Sequence, residues 1–328
     1  MIKLVVDTMG GDLGSAEVVS AIKDFLKDNI DVEITAVGKI EELKALEGIC
    51  RIIDAREIVP MNAGALEVLR MKDSSMMKAI KLLKEENLDG IVSSGSTGAF
   101  LSASTITLKM IPGVLRACLV APFPSNIKGK KVVILDVGAN NENNAEELSQ
   151  FALMGRLYSQ AIFGTQEPKV YTLSNGTEDG KGSPEIKEVS KLLKEKKFPG
   201  YIGNIEAKTA LSGEADVVVT DGFTGNVFLK SSEGIAKFMS SMMKKAFKKN
   251  LWTKLGYLHV KKGINEISET MDYKTTGGAM LLGVNGVVVK AHGSSDAFAF
   301  YNALRVAKGL AENKILDKIK EGLANAQC

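Results

Sequence analysis

The sequence predicts an α/β fold, with a doubly wound, mostly parallel β-sheet and helices on both faces. Short runs rich in β-branched residues alternate with amphipathic stretches of helical period. The runs are apolar at successive positions, as in strands that are buried on both faces. A loop rich in Gly, Asn, Ser or Thr follows nearly every run. The chain has 328 residues, and we expect residues 1–328 to form one α/β domain.

Six strand-and-loop units can be placed along the chain. The predicted strands cover residues 2–6, 90–92, 131–135, 169–173, 216–220 and 287–290. The loops that follow them cover residues 9–11, 93–98, 138–140, 175–176, 222–226 and 293–295. Glycine after a strand is ordinary turn chemistry at any single loop. In open α/β sheets, however, ligands bind beyond the carboxyl ends of the strands, so we expect the six loops to face one crevice.

The composition excludes several classes of protein. Hydrophobic residues make up 45% of the chain and charged residues 25%, which are the averages of globular proteins and not of disordered or collagenous chains. The three cysteines, Cys50, Cys118 and Cys328, form no CxxC pair, so we expect a reduced, cytosolic protein. The apolar run at the N-terminus reaches Asp7 after a few residues and no charge-free run of about 20 apolar residues occurs, so we expect neither a signal peptide nor a membrane span.

The positive charge is concentrated in one segment. Residues 234–265 contain eight lysines and no acidic residue, although the whole chain carries only +3. The remainder is therefore mildly acidic. This distribution argues against general nucleic-acid binding and favours a local surface contact.

Small-residue loops that lead into helices favour the binding of a phosphate or another oxyanion. No GxGxxG follows a strand and no GxxxxGK[ST] occurs, which disfavours NAD and nucleoside triphosphates. Hydrolysis by an activated serine or zinc is also disfavoured, because GxSxG and HExxH are absent and only His259 and His292 are available. Aspartates at strand ends can chelate a metal, but they also cap helices and fix loops, and we expect neither a metal nor a cofactor.

Eight short motifs along the chain resemble those of the PlsX phosphate acyltransferase family. The series is Asp7-Thr-Met-Gly-Gly-Asp12, Ser74-Ser75-Met76, Ser94-Gly-Ser-Thr-Gly-Ala99, Asp136-Val-Gly-Ala-Asn140, Gln150-Phe-Ala-Leu-Met-Gly155, Asn175-Gly-Thr-Glu-Asp-Gly-Lys-Gly182, Thr220-Asp-Gly-Phe-Thr-Gly-Asn-Val227 and His292-Gly-Ser-Ser-Asp296. The motifs occur in order from residue 1 to about residue 310. Each is weak alone, and their order makes the resemblance specific.

The resemblance implies an enzyme that transfers a long-chain acyl group from acyl carrier protein to inorganic phosphate. The product, acyl phosphate, would serve bacterial phospholipid synthesis. The resemblance also implies a homodimer with a fold similar to the isopropylmalate dehydrogenases and phosphotransacetylases. Two positions depart from the family pattern, which usually has asparagine where Ser96 stands and often histidine where Leu13 stands.

The reaction needs an anion-binding site and an oxyanion-stabilising site more than it needs acid–base groups. The resemblance and the flanking glycines assign the catalytic cation to Lys181, whose alternative role is that of a solvated turn lysine. Asn226 is the expected oxyanion donor, and its alternative role is that of a helix cap. The remaining phosphate- or substrate-binding candidates come from the motif loops. They are Asp7, Gly10, Gly11, Asp12, Ser94, Gly95, Ser96, Thr97, Gly98, Asp136, Gly138, Asn140, Asn175, Gly176, Thr177, Gly180, Gly182, Asp221, Gly222, Thr224, Gly225, His292, Gly293 and Ser294.

Residues 231–262 are predicted to form a projecting, basic, amphipathic helical segment that holds the enzyme on the inner face of the cell membrane. Its apolar residues recur at spacings of three and four, and the only tryptophan of the chain falls within it. The expected membrane-contacting residues are Phe238, Met239, Met242, Leu251, Trp252 and Leu255. The same apolar face also suits a core or a dimer interface, but the lysine excess favours an anionic membrane surface.

Two alternative functions remain at this point. One is a phosphotransacetylase-like acyltransferase that uses coenzyme A, and the other is a noncatalytic, membrane-recruited binding protein. Phosphate-dependent loss of a thioester separates an enzyme from a binding protein. The choice of acyl donor separates the two enzymes.

Overall fold

The computed structural model describes residues 1–64, 67–271, 275 and 277–326, and Cys328 lies outside them. Its described strands form one eleven-stranded sheet in the order β3-β2-β1-β4-β11-β10-β5-β6-β9-β7-β8. Seven of the ten strand pairs are parallel. The strands are β1 Ile2–Asp7, β2 Val32–Gly38, β3 Arg51–Asp54, β4 Gly90–Ser93, β5 Cys118–Pro124, β6 Lys131–Leu135, β7 Val170–Ser174, β8 Tyr201–Glu206, β9 Val217–Val219, β10 Ala279–Leu282 and β11 Val288–Lys290.

Helices cover both faces of the sheet. They are α1 Ser15–Asp28, α2 Ile40–Leu43, α3 Ser75–Glu85, α4 Thr97–Leu108, α5 Ala145–Phe163, α6 Pro184–Glu195, α7 Gly222–Lys248, α8 Leu251–Met271, α9 Ala297–Glu312 and α10 Ile315–Ala326. The predicted α/β fold class is confirmed. All six predicted strands are present, and each bound lies within one residue of the predicted one.

Neighbouring residues of one strand enter two different cores. Leu4 and Val6 of β1 belong to the hydrophobic cluster on one face of the sheet, whereas Val5 belongs to the cluster on the other face. All three side chains are at most 1% exposed. Burial of such a side chain stabilises the fold by roughly 1.5–3 kcal/mol. An uninterrupted apolar run is therefore what a strand covered on both sides requires.

The expectation that all six glycine-rich loops face one crevice, beyond strand ends that point the same way, is wrong. β10 is antiparallel to both β11 and β5, and β5 is antiparallel to β6. The strands β6, β9 and β7 therefore run opposite to β1, β4 and β11, and their carboxyl ends point the other way. A strand's direction depends on its long-range pairing, which the local sequence pattern does not contain.

The carboxyl ends of the two oppositely directed groups nevertheless meet near the middle of β5. Val289 of β11 pairs with Met280, which pairs with Val120, and β11 ends one residue later. From the other side, Ile134 of β6 pairs with Ala121, and β6 also ends one residue later. Three strand spacings separate β11 from β6, or roughly 14 Å. Loops from both halves can therefore border one cavity.

The helices α7 and α8 contain the predicted helical segment, residues 231–262. Asp221 caps α7 by accepting a hydrogen bond from the backbone N–H of Thr224 at 2.8 Å. The two helices pack against each other, with the rings of Phe247 and Tyr257 5.2 Å apart. Within the described ranges, no helix is long and apolar enough to cross a bilayer.

Candidate active site

The loops after β1, β4 and β11 pack against one another and form the first loop cluster, residues 8–14, 94–96 and 291–295. The hydroxyl of Ser94 donates to the carbonyl of Gly10 at 2.9 Å. The backbone N–H of Asp12 donates to the carbonyl of Gly293 at 2.8 Å. A β-carbon on Gly10 would collide with the backbone of Gly95, so the close approach of two loops requires glycine.

Asp7, the last residue of β1, holds the beginning of this cluster in place by hydrogen bonds. Its carboxylate accepts hydrogen bonds from the hydroxyl of Ser93 at 2.7 Å and from the backbone N–H of Met9 at 3.3 Å. Burial raises the pKa of Asp7, and the hydrogen bonds from Ser75, Ser93 and the backbone oppose that shift. The structure therefore gives Asp7 contacts within the loops, where sequence reasoning placed it in contact with substrate.

Lys290, the last residue of β11, is a buried cation at the same cluster. Its side chain is 6% exposed, and its Nζ donates to the carbonyl oxygens of Ser94, at 3.4 Å, and of Ala291. Burial lowers the pKa of Lys290 to about 8, against the opposing pull of Asp7 and Asp12. Sequence reasoning missed this residue. The feature that could have indicated it is a lysine at the carboxyl end of an apolar strand, shortly before a motif loop.

The loops after β6 and β9 form the second loop cluster, residues 136–144 and 220–226. The Asp136 carboxylate accepts backbone hydrogen bonds from Leu119, Gly138, Ala139 and Asn140 at 2.9–3.0 Å. Burial raises the pKa of Asp136, and these hydrogen bonds oppose the rise. The carboxylate is thus occupied in holding its own loop against β5.

Asn140 is also occupied by contacts within the protein. Its amide nitrogen donates to the carbonyl of Ala117 and to the carboxylate of Asp136, both at 2.8 Å. Its amide oxygen accepts from Nε of Arg116 at 2.8 Å. Asn226 differs, because its side chain lies against Gly138 and has no hydrogen-bond partner among the described residues. An amide without a partner at a cavity wall is available to a ligand.

A cavity of about 770 Å³ lies between the two loop clusters, within the usual size of small-molecule sites. Leu119, Ala121 and Phe123 of β5 line one part of it, and as alternate residues of a strand they share one face. The first turns of α7 supply Asn226 and Leu229. The cavity thus combines an apolar strand face with polar loops.

Seven of the residues predicted from the sequence line this cavity. They are Asp12, Thr97, Gly98, Gly138, Asn226, His292 and Gly293. The other predicted residues of the two clusters are not among the described residues that line it. The structure adds residues that the sequence did not indicate, among them Lys290, Lys230 and Glu233.

The loop after β7, residues 175–182, is not among the segments that line the cavity. It holds Lys181, whose side chain packs beside Gly176. The amide oxygen of Asn175 accepts a hydrogen bond from the backbone N–H of Gly182 at 2.9 Å. The amide of Asn204 on β8 donates to the carbonyl of Glu178 at 2.9 Å. The loop therefore lies at the same edge of the sheet as the second cluster, because β7 is parallel to β9.

In the part of the chain that the structure describes, no group of three or more His, Cys, Asp or Glu side chains is arranged to hold a metal ion. The two histidines lie far apart in the sequence. The ring of His292 bonds the hydroxyl of Ser294 at 2.8 Å, which places it in a local turn of the first cluster.

Comparison with known proteins identifies relatives over nearly the whole chain. The family model described as fatty acid synthesis protein matches residues 2–318. A phosphate acyltransferase of an Exiguobacterium species is 40% identical over 332 residues, covering 98% of this chain and 99% of the relative. A phosphate acyltransferase of Staphylococcus haemolyticus is 41% identical over 322 residues, covering 98% of each chain.

Solved structures with the same fold include phosphotransacetylases. A phosphotransacetylase from Streptococcus pyogenes superposes with a TM-score of 0.63 at 20% identity, covering 95% of this chain and 94% of that structure. The EutD phosphotransacetylase from Staphylococcus aureus gives a TM-score of 0.61 at 19% identity, covering 94% of each chain. These similarities confirm the predicted fold.

Proposed function

Because the chain belongs to the fatty acid synthesis protein family, whose curated relatives are phosphate acyltransferases, we propose that it transfers a long-chain fatty acyl group from acyl carrier protein to inorganic phosphate. The product would be acyl phosphate for the synthesis of phosphatidic acid and other phospholipids. That the chain is an acyltransferase follows from its family. The alternative of a noncatalytic binding protein is therefore wrong.

The proposed reaction makes one bond and breaks one. A phosphate oxygen attacks the thioester carbonyl carbon and forms a tetrahedral intermediate with a negatively charged oxygen. The carbon–sulfur bond then breaks, and the thiol of the carrier leaves with the proton that phosphate gives up. A thiol with a pKa of about 8–9 is a good leaving group, so the site needs no strong acid or base. It needs a place for the anion, donors for the oxyanion and an apolar place for the acyl chain.

The observation that carries the proposal is the cavity between the two loop clusters. Leu119, Ala121 and Phe123 offer an apolar surface for an acyl chain. Thr97 and Gly98, at the beginning of α4, and Lys290 stand beside it and suit an anion. Both kinds of surface within one cavity are what a fatty acyl group and phosphate require together.

Within this proposal, Asn226 donates a hydrogen bond to the developing oxyanion. Its free amide and its place on the cavity wall support that role. Lys181 supplies a second cation from the loop after β7, and it reaches the reacting groups only if that loop closes towards the cavity or the carrier brings substrate to it. The charge of Lys181 and its flanking residues Gly180 and Gly182, which have no side chains to block a ligand, support this assignment.

We further propose that the enzyme is a homodimer on the cytoplasmic side of the cell membrane, held to the anionic bilayer by α7 and α8. On these helices Trp252 is 81% exposed and Leu251 70%. The remaining predicted membrane contacts, Phe238, Met239, Met242 and Leu255, are 46–62% exposed. The exposed apolar face and the eight lysines of this segment support attachment to the membrane. Attachment there would place the enzyme near the membrane acyltransferase that consumes acyl phosphate.

A comparison of acyl donors tests the proposed function against its coenzyme A alternative. The pure protein is given phosphate and either palmitoyl-acyl carrier protein or palmitoyl-coenzyme A at equal concentration. We expect kcat/KM to be at least tenfold higher with the carrier protein. Equal or better use of the coenzyme A ester would contradict the proposed donor and leave the acyltransferase assignment intact.

A further inference from the structure

The proposed function gives no specific task to the buried ammonium group of Lys290, which lies at the wall of the cavity. A lysine is seldom buried, because its charge loses hydration, and it persists only where partners or a ligand repay that cost. Lys290 is 6% exposed. Its Nζ contacts the carbonyl oxygens of Ser94 and Ala291, the residues that immediately follow β4 and β11.

The hydrogen bonds of Lys290 leave one donor for a ligand. An ammonium group has three N–H donors. Two are directed at the carbonyl oxygens of Ser94 and Ala291. For the third, the described residues provide no hydrogen-bond acceptor, and Lys290 lines the cavity.

A second set of donors reaches the same end of the cavity from α4. The first backbone N–H groups of a helix have no partner within the helix. At the N-terminus of α4, the side chain of Ser96 makes no capping hydrogen bond, and Thr97 and Gly98 line the cavity. The Ser94 carbonyl that holds Lys290 stands only three residues before this helix begins.

We infer that Lys290 is the phosphate-binding cation of this enzyme, and that it holds inorganic phosphate together with the first turn of α4. The inference rests on the proposed function and adds to it the position of the nucleophile. Phosphate bound there lies at the polar end of the cavity, beside the apolar face of β5 on which the acyl chain would lie. The ammonium stabilises the dianion and leaves an oxygen free to attack.

Three other titratable groups face the same ammonium. The carboxylates of Asp7 and Asp12 attract it, and the imidazole of His292 lies near enough to interact with it. Asp7 is enclosed in hydrogen bonds below the loops, so it does not compete for the cavity. Asp12 lines the cavity, and its negative charge opposes the binding of an anion there.

The test measures the KM for phosphate and the KM for acyl carrier protein separately in Lys290→Met. Lys131→Met is the matched control. Lys131 is a half-buried strand lysine that does not line the cavity, and burial lowers its pKa as well. In Lys290→Met we expect the KM for phosphate to rise at least tenfold and the KM for acyl carrier protein to stay within twofold. Lys290→Arg, which retains the charge, should recover part of the phosphate affinity.

Two results would overturn the inference. A folded Lys290→Met protein with an unchanged KM for phosphate would show that the ammonium is structural. A rise confined to the KM for acyl carrier protein would show that Lys290 contacts the carrier substrate instead of phosphate.

A binding measurement on the parent protein needs neither turnover nor a variant. Inorganic phosphate alone should raise the Tm of the protein relative to sodium chloride of equal ionic strength. Because burial lowers the pKa of Lys290 to about 8, the side chain carries less positive charge at pH 9 than at pH 7, and this rise should be smaller at pH 9. An equal or larger rise at pH 9 would contradict the inference. Failure of turnover with an intact phosphate effect would instead count against the proposed function.

Discussion

The Cα atom of Gly225, in the first turn of α7, lies directly against the carbonyl oxygen of Asp136, with no room for a β-carbon between them. This contact brings the beginning of α7 onto the end of β6 and sets the position of Asn226 on the cavity wall. The packing of the second loop cluster therefore requires glycine at position 225.

Gly225→Ala tests that contact. The methyl group would force α7 away from Asp136, and we expect the free energy of unfolding to fall by about 1–3 kcal/mol and kcat to fall at least tenfold. Gly234→Ala in the same helix is the control, because a β-carbon there meets open space. Alanine should stabilise that position by up to about 1 kcal/mol. Both values can be read from urea unfolding curves, and equal effects of the two substitutions would contradict the packing account.

Lys181→Met tests the proposed second cation. The substitution keeps most of the aliphatic stem and removes the charge, and loss of one preorganised electrostatic donor costs roughly 10²–10³ in rate. We expect a loss of that size in kcat, and a smaller one in Asn226→Ala, because an amide is neutral. Lys187→Met, at an exposed position of the neighbouring helix, should retain full activity. A folded Lys181→Met enzyme within threefold of the parent would remove Lys181 from the reaction.

Phosphate dependence without a metal is the third prediction. We expect turnover to require inorganic phosphate and to be unchanged by EDTA, because the chemistry proposed for this site uses amide and ammonium donors. The measurement is release of free carrier thiol with and without the chelator. Loss of activity in EDTA and its return with magnesium would give Asp12 or Asp221 a metal-binding role.

Binding of α7 and α8 to membranes can be measured by vesicle flotation. Each lysine near an anionic bilayer contributes about 1 kcal/mol, so we expect the parent to float with anionic vesicles and not with neutral ones. Met242→Glu/Trp252→Glu should abolish flotation. Ile30→Glu/Ile202→Glu changes two exposed apolar residues elsewhere and should leave it intact. Flotation that ignores lipid charge, or that survives the first double substitution, would favour a protein interface on these helices.

The sequence predicted what is local and missed what depends on long-range pairing. The strand before Gly10 and Gly11 could be identified because an unbroken apolar run needs cover on both faces. The reversed direction of β6 could not be predicted, because the apolar pattern around Ile134 is the same whether the strand runs parallel or antiparallel to its neighbour. Lys290 was missed for a related reason, since a lysine at a strand end is usually solvated, and only the packing of the first loop cluster shows that this one is buried.

Acyl phosphate formation tests the central claim most directly. Palmitoyl-acyl carrier protein, phosphate and the pure protein are incubated together, and the product is trapped with hydroxylamine as palmitoyl hydroxamate. We expect hydroxamate to appear in proportion to the free carrier released, and to disappear when phosphate is omitted. Release of palmitate without hydroxamate, or product formation that does not depend on phosphate, would contradict transfer to phosphate.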